Sequence, residues 1–191
     1  PFGVFSMIHT EGLHSLETGI INYMLEILFF ELPNCQHHHL DTIIKRLLTH
    51  PKQHGYDVLP RLLWQAGITT ITQLTADLRV GKLFAITIAA LTLEGQRFFE
   101  DHLPGGTTQW RNMLYVFQQI LCYWAWLKKD TYWMINDVNA CARASRAVRT
   151  MLQQLQVKWP RAKGWGWNIT KLHDQLHVPE DILGTGGIIM S

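Results

Sequence analysis

Two histidines four residues apart, His173 and His177 in Lys171-Leu-His173-Asp-Gln-Leu-His177, open the question of chemistry. On a helix that spacing puts both imidazoles on one face, the arrangement by which a helix offers two nitrogens to a metal ion. Asp174 belongs to another face, and no third ligand is suitably spaced. The plainer reading is a pair of packed or solvated histidines beside the Trp-rich corner Gly164-Trp-Gly-Trp167. No tight metal is expected there, because two imidazoles leave half of a tetrahedral shell to water.

A second constellation lies early in the chain, Glu11-Gly-Leu-His14-Ser-Leu-Glu17-Thr-Gly19. His14 and Glu17 are three apart and can touch on a helix, which makes a carboxylate–imidazole pair physically reasonable. The alternative is a capping arrangement, with Ser15 as N-cap and both Glu17 and Glu26 solvated. Cys35-Gln-His37-His-His39 is rich in metal-binding side chains, but it follows Pro33-Asn34 and matches no closed zinc site. It reads as a polar loop with at most adventitious metal affinity.

Basic residues recur at Arg143, Arg146 and Arg149, with Lys158, Arg161 and Lys163 beyond them. Such a stripe can sit on phosphates, and Trp159, Trp165 and Trp167 could stack on single-stranded bases. A solvated helix face explains the same pattern. The sequence contains no Gly-rich phosphate loop, no Ser/His/Asp order and no nucleophile elbow.

The elements that must position these residues are helical. The chain has 191 residues, of which 47% are hydrophobic and 17% charged, so a packed globule is favoured over a disordered tail. Its eight Trp and eight Phe are each worth roughly 2–3 kcal/mol when fully buried. The net charge of +2 gives no global field directed at nucleic acid, although the ten histidines would add positive charge in acid. Cys35, Cys122 and Cys141 are odd in number and lack a Cys-x-x-Cys spacing, which suits a reduced, intracellular compartment. The apolar runs near Tyr23–Phe30 and Leu83–Leu93 are too short and too interrupted to span a membrane.

Trp110, Met113, Leu114, Phe117, Ile120, Leu121, Trp124 and Leu127 form an apolar stripe that predicts a helix over Thr107–Lys129. Thr107 or Thr108 would be its N-cap, and Lys128-Lys129 suits the negative end of its dipole. A partner helix is predicted over Asp137–Val157, with Val138, Cys141, Val148, Met151, Leu152 and Leu155 inward and the arginines outward. The connection Asp130–Asn136 is short, so the two helices should be antiparallel with their stripes facing. Leu16, Ile20, Tyr23, Met24, Ile27 and Leu28 mark an earlier helix ended by Pro33-Asn34. Shorter helical pieces are expected near Asp41–Leu48, Leu59–Trp64 and Thr70–Thr75, and a longer helix over Ala76–Leu93 carrying Leu83, Phe84, Ile86 and Ala90. Ile68-Thr-Thr-Ile71 is too short a β-flavoured patch to make a sheet. The fold class expected is all-α, a single helical array or bundle with short loops over 1–191, irregular at 1–13 and 184–191.

In combination, these motifs resemble the distal part of the large DDE-type transposases of CACTA-like and Plavaka-like elements. The resemblance rests on an acid-x-x-His turn, a second acid and a Gly entering an apolar helix with Tyr23-Met-Leu-Glu26. It continues with Pro160-Arg-x-x-Gly-x-Gly-Trp167, then Lys-x-His-x-x-x-His followed by Asp181-Ile182. In that family an Asp-x-x-His or Cys-x-x-His turn follows a ribonuclease-H-like core. A helical insertion comes next, and then a segment reaching the last catalytic Glu near a His-Lys pair. The matching positions are Glu11, His14, Glu17, Gly19, Lys171, His173 and His177. By order the likeness covers nearly the whole chain, by motif under a quarter of it. Glu11 departs from the family's Asp or Cys, both core Asp residues would lie upstream of Pro1, and no Glu-x-x-His-Lys follows Leu183.

The resemblance therefore implies a truncated, transposon-derived helical insertion that lacks the catalytic carboxylates and is not itself an enzyme. The apolar opening at Pro1 and the Gly-rich close are expected of a fragment of a longer reading frame, a chain trimmed at domain borders being the other explanation. No cofactor is expected for the chain, whereas a parent enzyme would use Mg. The expected partners are the missing catalytic core and DNA, the latter bound weakly and without sequence preference through Arg143, Arg146 and Arg149. A nuclear location would follow. Two other classes stay open: a helical protein-interaction domain using an aromatic surface around Trp159–Trp167, and a small metal protein built on His173 and His177.

Overall fold

A computed structural model describes residues 15–28, 71–102, 106–128, 133–158, 173 and 175–184. In these residues the regular structure is helical, and no strand occurs among them, so the fold is all-α. A π-helical turn, Ser15–Ile20, runs directly into α1 (Ile21–Glu26). A 3-10 turn, Ile71–Gln73, precedes α2 (Ala76–Ala90), followed by α3 (Leu93–His102) and α4 (Gly106–Leu127). Then come α5 (Ile135–Lys158) and α6 (Val178–Gly184). The chain divides into two compact units, Ile21–Phe117 and a second made of Pro1–Ile20 with Gln118–Ser191.

In the unit Ile21–Phe117, α1 packs on α2 and on the 3-10 turn, and α2 packs on α3. Eleven of the fifteen residues of α2 are buried, as expected of a helix that is apolar on nearly every side. Thr75 caps its start, its hydroxyl accepting from the Leu78 N–H at 3.4 Å. Buried Arg79 donates to the carbonyls of Ile71 (3.3 Å) and Thr72 (3.2 Å), and so fastens the 3-10 turn to α2. Thr87 disposes of its hydroxyl on the Leu83 carbonyl at 2.8 Å. Of the residues expected on this helix, Leu83, Ile86 and Ala90 are buried and Phe84 is 39% exposed.

The single helix expected over Ala76–Leu93 ends at Ala90, and α3 begins afresh. Thr92 makes the break: its hydroxyl donates to the Ala89 carbonyl at 2.7 Å and accepts from the Gly95 N–H at 3.0 Å. That is an N-cap at the head of α3, satisfying an N–H that the first turn leaves without a partner. A Cβ at Gly95 would collide with the Ala89 carbonyl, so only glycine lets the two helix ends approach this closely. Glu100 then joins α3 to α4, accepting from Gln96 Nε2 and from Trp110 Nε1, both at 3.0 Å. Phe98, Phe99 and Phe117 stack edge to face at centroid separations of 5.3 and 6.4 Å.

Two sequence expectations shift at helix starts. α4 begins at Gly106, so Thr107 and Thr108 lie within its first turn rather than capping it. The helix expected over Thr70–Thr75 is only the 3-10 turn, since Thr75 already caps α2. The pieces expected near Asp41–Leu48 and Leu59–Trp64 lie outside the described residues.

In the second unit α5 packs against α6. The stripe Val138, Cys141, Val148, Leu152 and Leu155 is buried as expected, and Met151 is half-buried. The first turn of α5 is closed by Asp137, whose carboxylate accepts from the Met134 N–H at 2.9 Å, half of a capping box. Trp126 and Trp133 flank the connection into α5 with ring centroids 6.1 Å apart.

Candidate functional site

Glu17 is the first candidate whose surroundings overturn an expectation. It is not a solvated residue of a helix start but is 6% exposed. Its Oε1 accepts from Trp124 Nε1 at 2.7 Å and lies 3.7 Å from Lys128 Nζ. Lys128 in turn sits 5.7 Å from the centre of the Trp124 ring. Burying a carboxylate is costly unless hydrogen bonds and an opposite charge compensate it; Trp124 of α4 and Lys128, just past its end, supply them from one turn apart. Ser15 begins the π-helical turn and is itself buried, so it is not a flanking cap. Gly19 is buried in the same turn. Glu11 and His14 lie outside the described residues.

The segment carrying the paired histidines is seated by a residue that sequence reasoning passed over. Gln175 is 2% exposed. Its side-chain oxygen accepts from the Tyr123 hydroxyl at 2.8 Å, and its backbone carbonyl accepts from Ser145 Oγ at 2.8 Å. This knot links α4, α5 and the turn ahead of α6. Burial pushes the Tyr123 phenol well above its ordinary range, neighbouring Cys141 adds to the rise, and the hydrogen bond with Ser145 opposes it. Tyr123 therefore acts as a neutral donor. Burial also pushes the Cys141 thiol up to about 12, with Cys122 adding to it, so Cys141 is an inert core thiol and not a nucleophile.

With Gln175 pulled inward, the residues two positions to either side face outward. His173 and His177 are both exposed, with their Nε2 atoms 3.3 Å apart and their rings edge to face at 5.0 Å. The backbone between them turns through Leu176 N–H donating to the His173 carbonyl at 2.9 Å. His177 Nδ1 stands 3.4 Å from Glu180 Oε2 on α6. The four-residue spacing thus does pair the imidazoles, on a turn that leads into a short helix. Lys171, Asp174 and Trp159–Trp167 lie outside the described residues, as does the tract Cys35–His39.

Arg143 and Arg146 are exposed on α5, whereas Arg149 is half-buried. Among the described residues no group of three or more His, Cys, Asp and Glu is placed to hold a metal ion. No described helix is long and apolar enough to cross a membrane. Tyr123, Ser145 and Gln175 were missed because each is polar and reads as surface. The signal available was the position of Tyr123, three after Ile120 and four before Leu127, squarely in the helical stripe. Compared with family models, curated proteins and solved structures, the chain matches none.

Proposed function

We propose that the chain is the helical insertion region of a DDE-type transposase-like protein, serving as a brace and a DNA-contacting surface rather than as a catalyst. One observation carries this reading. The described parts of the two motif segments, the turn Ser15–Ile20 and the turn with His173 and His177, belong to one compact unit. They are fastened to consecutive residues of α4: Glu17 to Trp124, and Gln175 to Tyr123. An insertion held between two parts of a catalytic core must bring its entry and exit segments together, and this one gathers both on a single helical turn. The arginines of α5 offer phosphate contacts that carry no sequence information. In the parent, Mg-dependent phosphoryl transfer would rest on carboxylates of the core, with nuclear DNA as substrate.

The coding DNA on either side of the chain tests this. A ribonuclease-H-like strand pattern with two Asp is expected before the Pro1 codon, and a Glu-x-x-His-Lys segment within a few tens of codons after Ser191. An in-frame Met shortly before Pro1, a stop after Ser191 and no transposase-like coding on either side would overturn the proposal. The helical protein-interaction domain with an aromatic surface around Trp159–Trp167 would then become the leading reading.

A further inference from the structure

The geometry points to an open, exchangeable site for a borderline divalent transition metal at His173 and His177, with Glu180 as its outer-shell carboxylate. The two Nε2 atoms are 3.3 Å apart. A tetrahedral zinc ion with Zn–N bonds of about 2.0–2.1 Å holds any two ligand nitrogens about 3.3–3.4 Å from each other. The imidazoles already have the separation that a shared ion imposes.

The surroundings agree with coordination through Nε2. It leaves Nδ1 of His177 to carry the proton and donate towards Glu180 Oε2, 3.4 Å away. A carboxylate behind a ligating histidine fixes its tautomer and raises the basicity of the metal-facing nitrogen. The backbone is held in place as well: Gln175, between the two histidines, is locked to Tyr123 and Ser145, and α6 is anchored by buried Val178 and Ile182. A pair held this way loses little freedom when an ion binds.

The ligand set also selects the metal. Imidazole nitrogens suit Zn, Cu and Ni, whereas Mg and Ca favour oxygen. The site is therefore chemically distinct from the Mg chemistry of a parent transposase, and it stands whether or not the chain derives from one. With two protein ligands and an exposed position, the remaining coordination positions belong to water or an incoming ligand. That makes it an exchangeable site rather than a structural one.

Zinc chloride is the probe, titrated calorimetrically into the full chain with His37, His38 and His39 replaced by Ala to silence that tract. One zinc per chain is expected, undisturbed by millimolar Mg. In the same background His173→Ala and His177→Ala should each weaken binding more than tenfold, and Glu180→Gln by roughly tenfold. All three positions are exposed, and far-UV circular dichroism verifies that each variant keeps its helices. X-ray absorption of the zinc-loaded chain should show two imidazole ligands, reduced to one in either His→Ala variant. Unchanged zinc binding in either variant would overturn the site, as would displacement of zinc by Mg. A Glu180→Gln effect under twofold would overturn the outer-shell assignment.

Discussion

α2 and α5 both carry basic residues and use them in opposite ways. In α2, Arg79 and Lys82 are 7% and 3% exposed, and Arg79 gives its guanidinium to the carbonyls of the 3-10 turn. In α5, Arg143 and Arg146 stand in solvent, on the side away from a buried stripe. The difference follows from how many faces each helix buries. When nearly every face is covered, a cation must find partners within the protein, and it becomes a fastener. When a helix keeps one polar face, its cations remain available to something outside. Counting charges along the sequence cannot separate the two, but burial does.

Four measurements test this contrast between a helix that buries its cations and one that keeps a polar face. The largest effect is expected in the unit Ile21–Phe117: Phe117→Ala removes a ring that is 1% exposed and packed against Phe99. It should cost roughly 3–5 kcal/mol in chemical denaturation. A loss under about 1 kcal/mol would mean that this face is not core.

In the other unit, alkaline pH should be nearly as damaging. Cys141 holds its proton up to about 12 against an ordinary 9.0, and Tyr123 is raised above its ordinary 10.0. Groups whose folded values are raised stabilise fully below their unfolded values, and that contribution is lost as pH climbs towards the folded ones. Stability should be flat below pH 9 and then fall by up to about 1.4 kcal/mol per pH unit for each group. A Cys141→Ala variant with an unaltered alkaline slope would show that this thiol is not the sensor.

Tyr123→Phe comes next. It takes a donor from Gln175 and should cost about 1–3 kcal/mol, because a buried acceptor is left unsatisfied. If thermal unfolding of this variant matched the parent, the knot would not be holding the histidine turn.

The smallest effect on stability, and the most telling for function, belongs to the combined Arg143→Gln, Arg146→Gln and Arg149→Gln variant. Stability should change by no more than roughly 0.5 kcal/mol per site. Fluorescence anisotropy with short duplexes should show weak, sequence-indifferent binding that fades with salt. The variant's log–log salt slope should be shallower by about 1 for each phosphate that an arginine no longer neutralises. Identical slopes in parent and variant would remove α5 from any DNA interface.

The all-α class, α4 and α5 were legible in the sequence because long amphipathic stripes leave little choice of period. Their ends fell within two residues of Thr107–Lys129 and Asp137–Val157. The break between α2 and α3 was not legible, because the apolar run through Leu83–Leu93 hides it. What stops α2 is a single hydroxyl, that of Thr92, with a glycine three residues later. The candidate site divides in the same way. The spacing of His173 and His177 admitted their pairing, but the turn that brings them together is seated through Gln175. The burial of Glu17 depends on Trp124, 107 positions away, and that of Gln175 on Tyr123, 52 positions away. No local pattern encodes such meetings.

The adjacency of Tyr123 and Trp124 has a consequence for how this chain can vary. Each fastens one of the two segments, and both sit on the same turn of α4. A change in the twist of that turn would disturb both seats at once. Positions 17 and 124 are therefore expected to vary together, as are 123, 145 and 175, and the two sets are tied through one stretch of backbone. Substitutions accepted elsewhere one at a time would be accepted here only in groups, which makes this turn a slow point of sequence drift in any relative that keeps both segments.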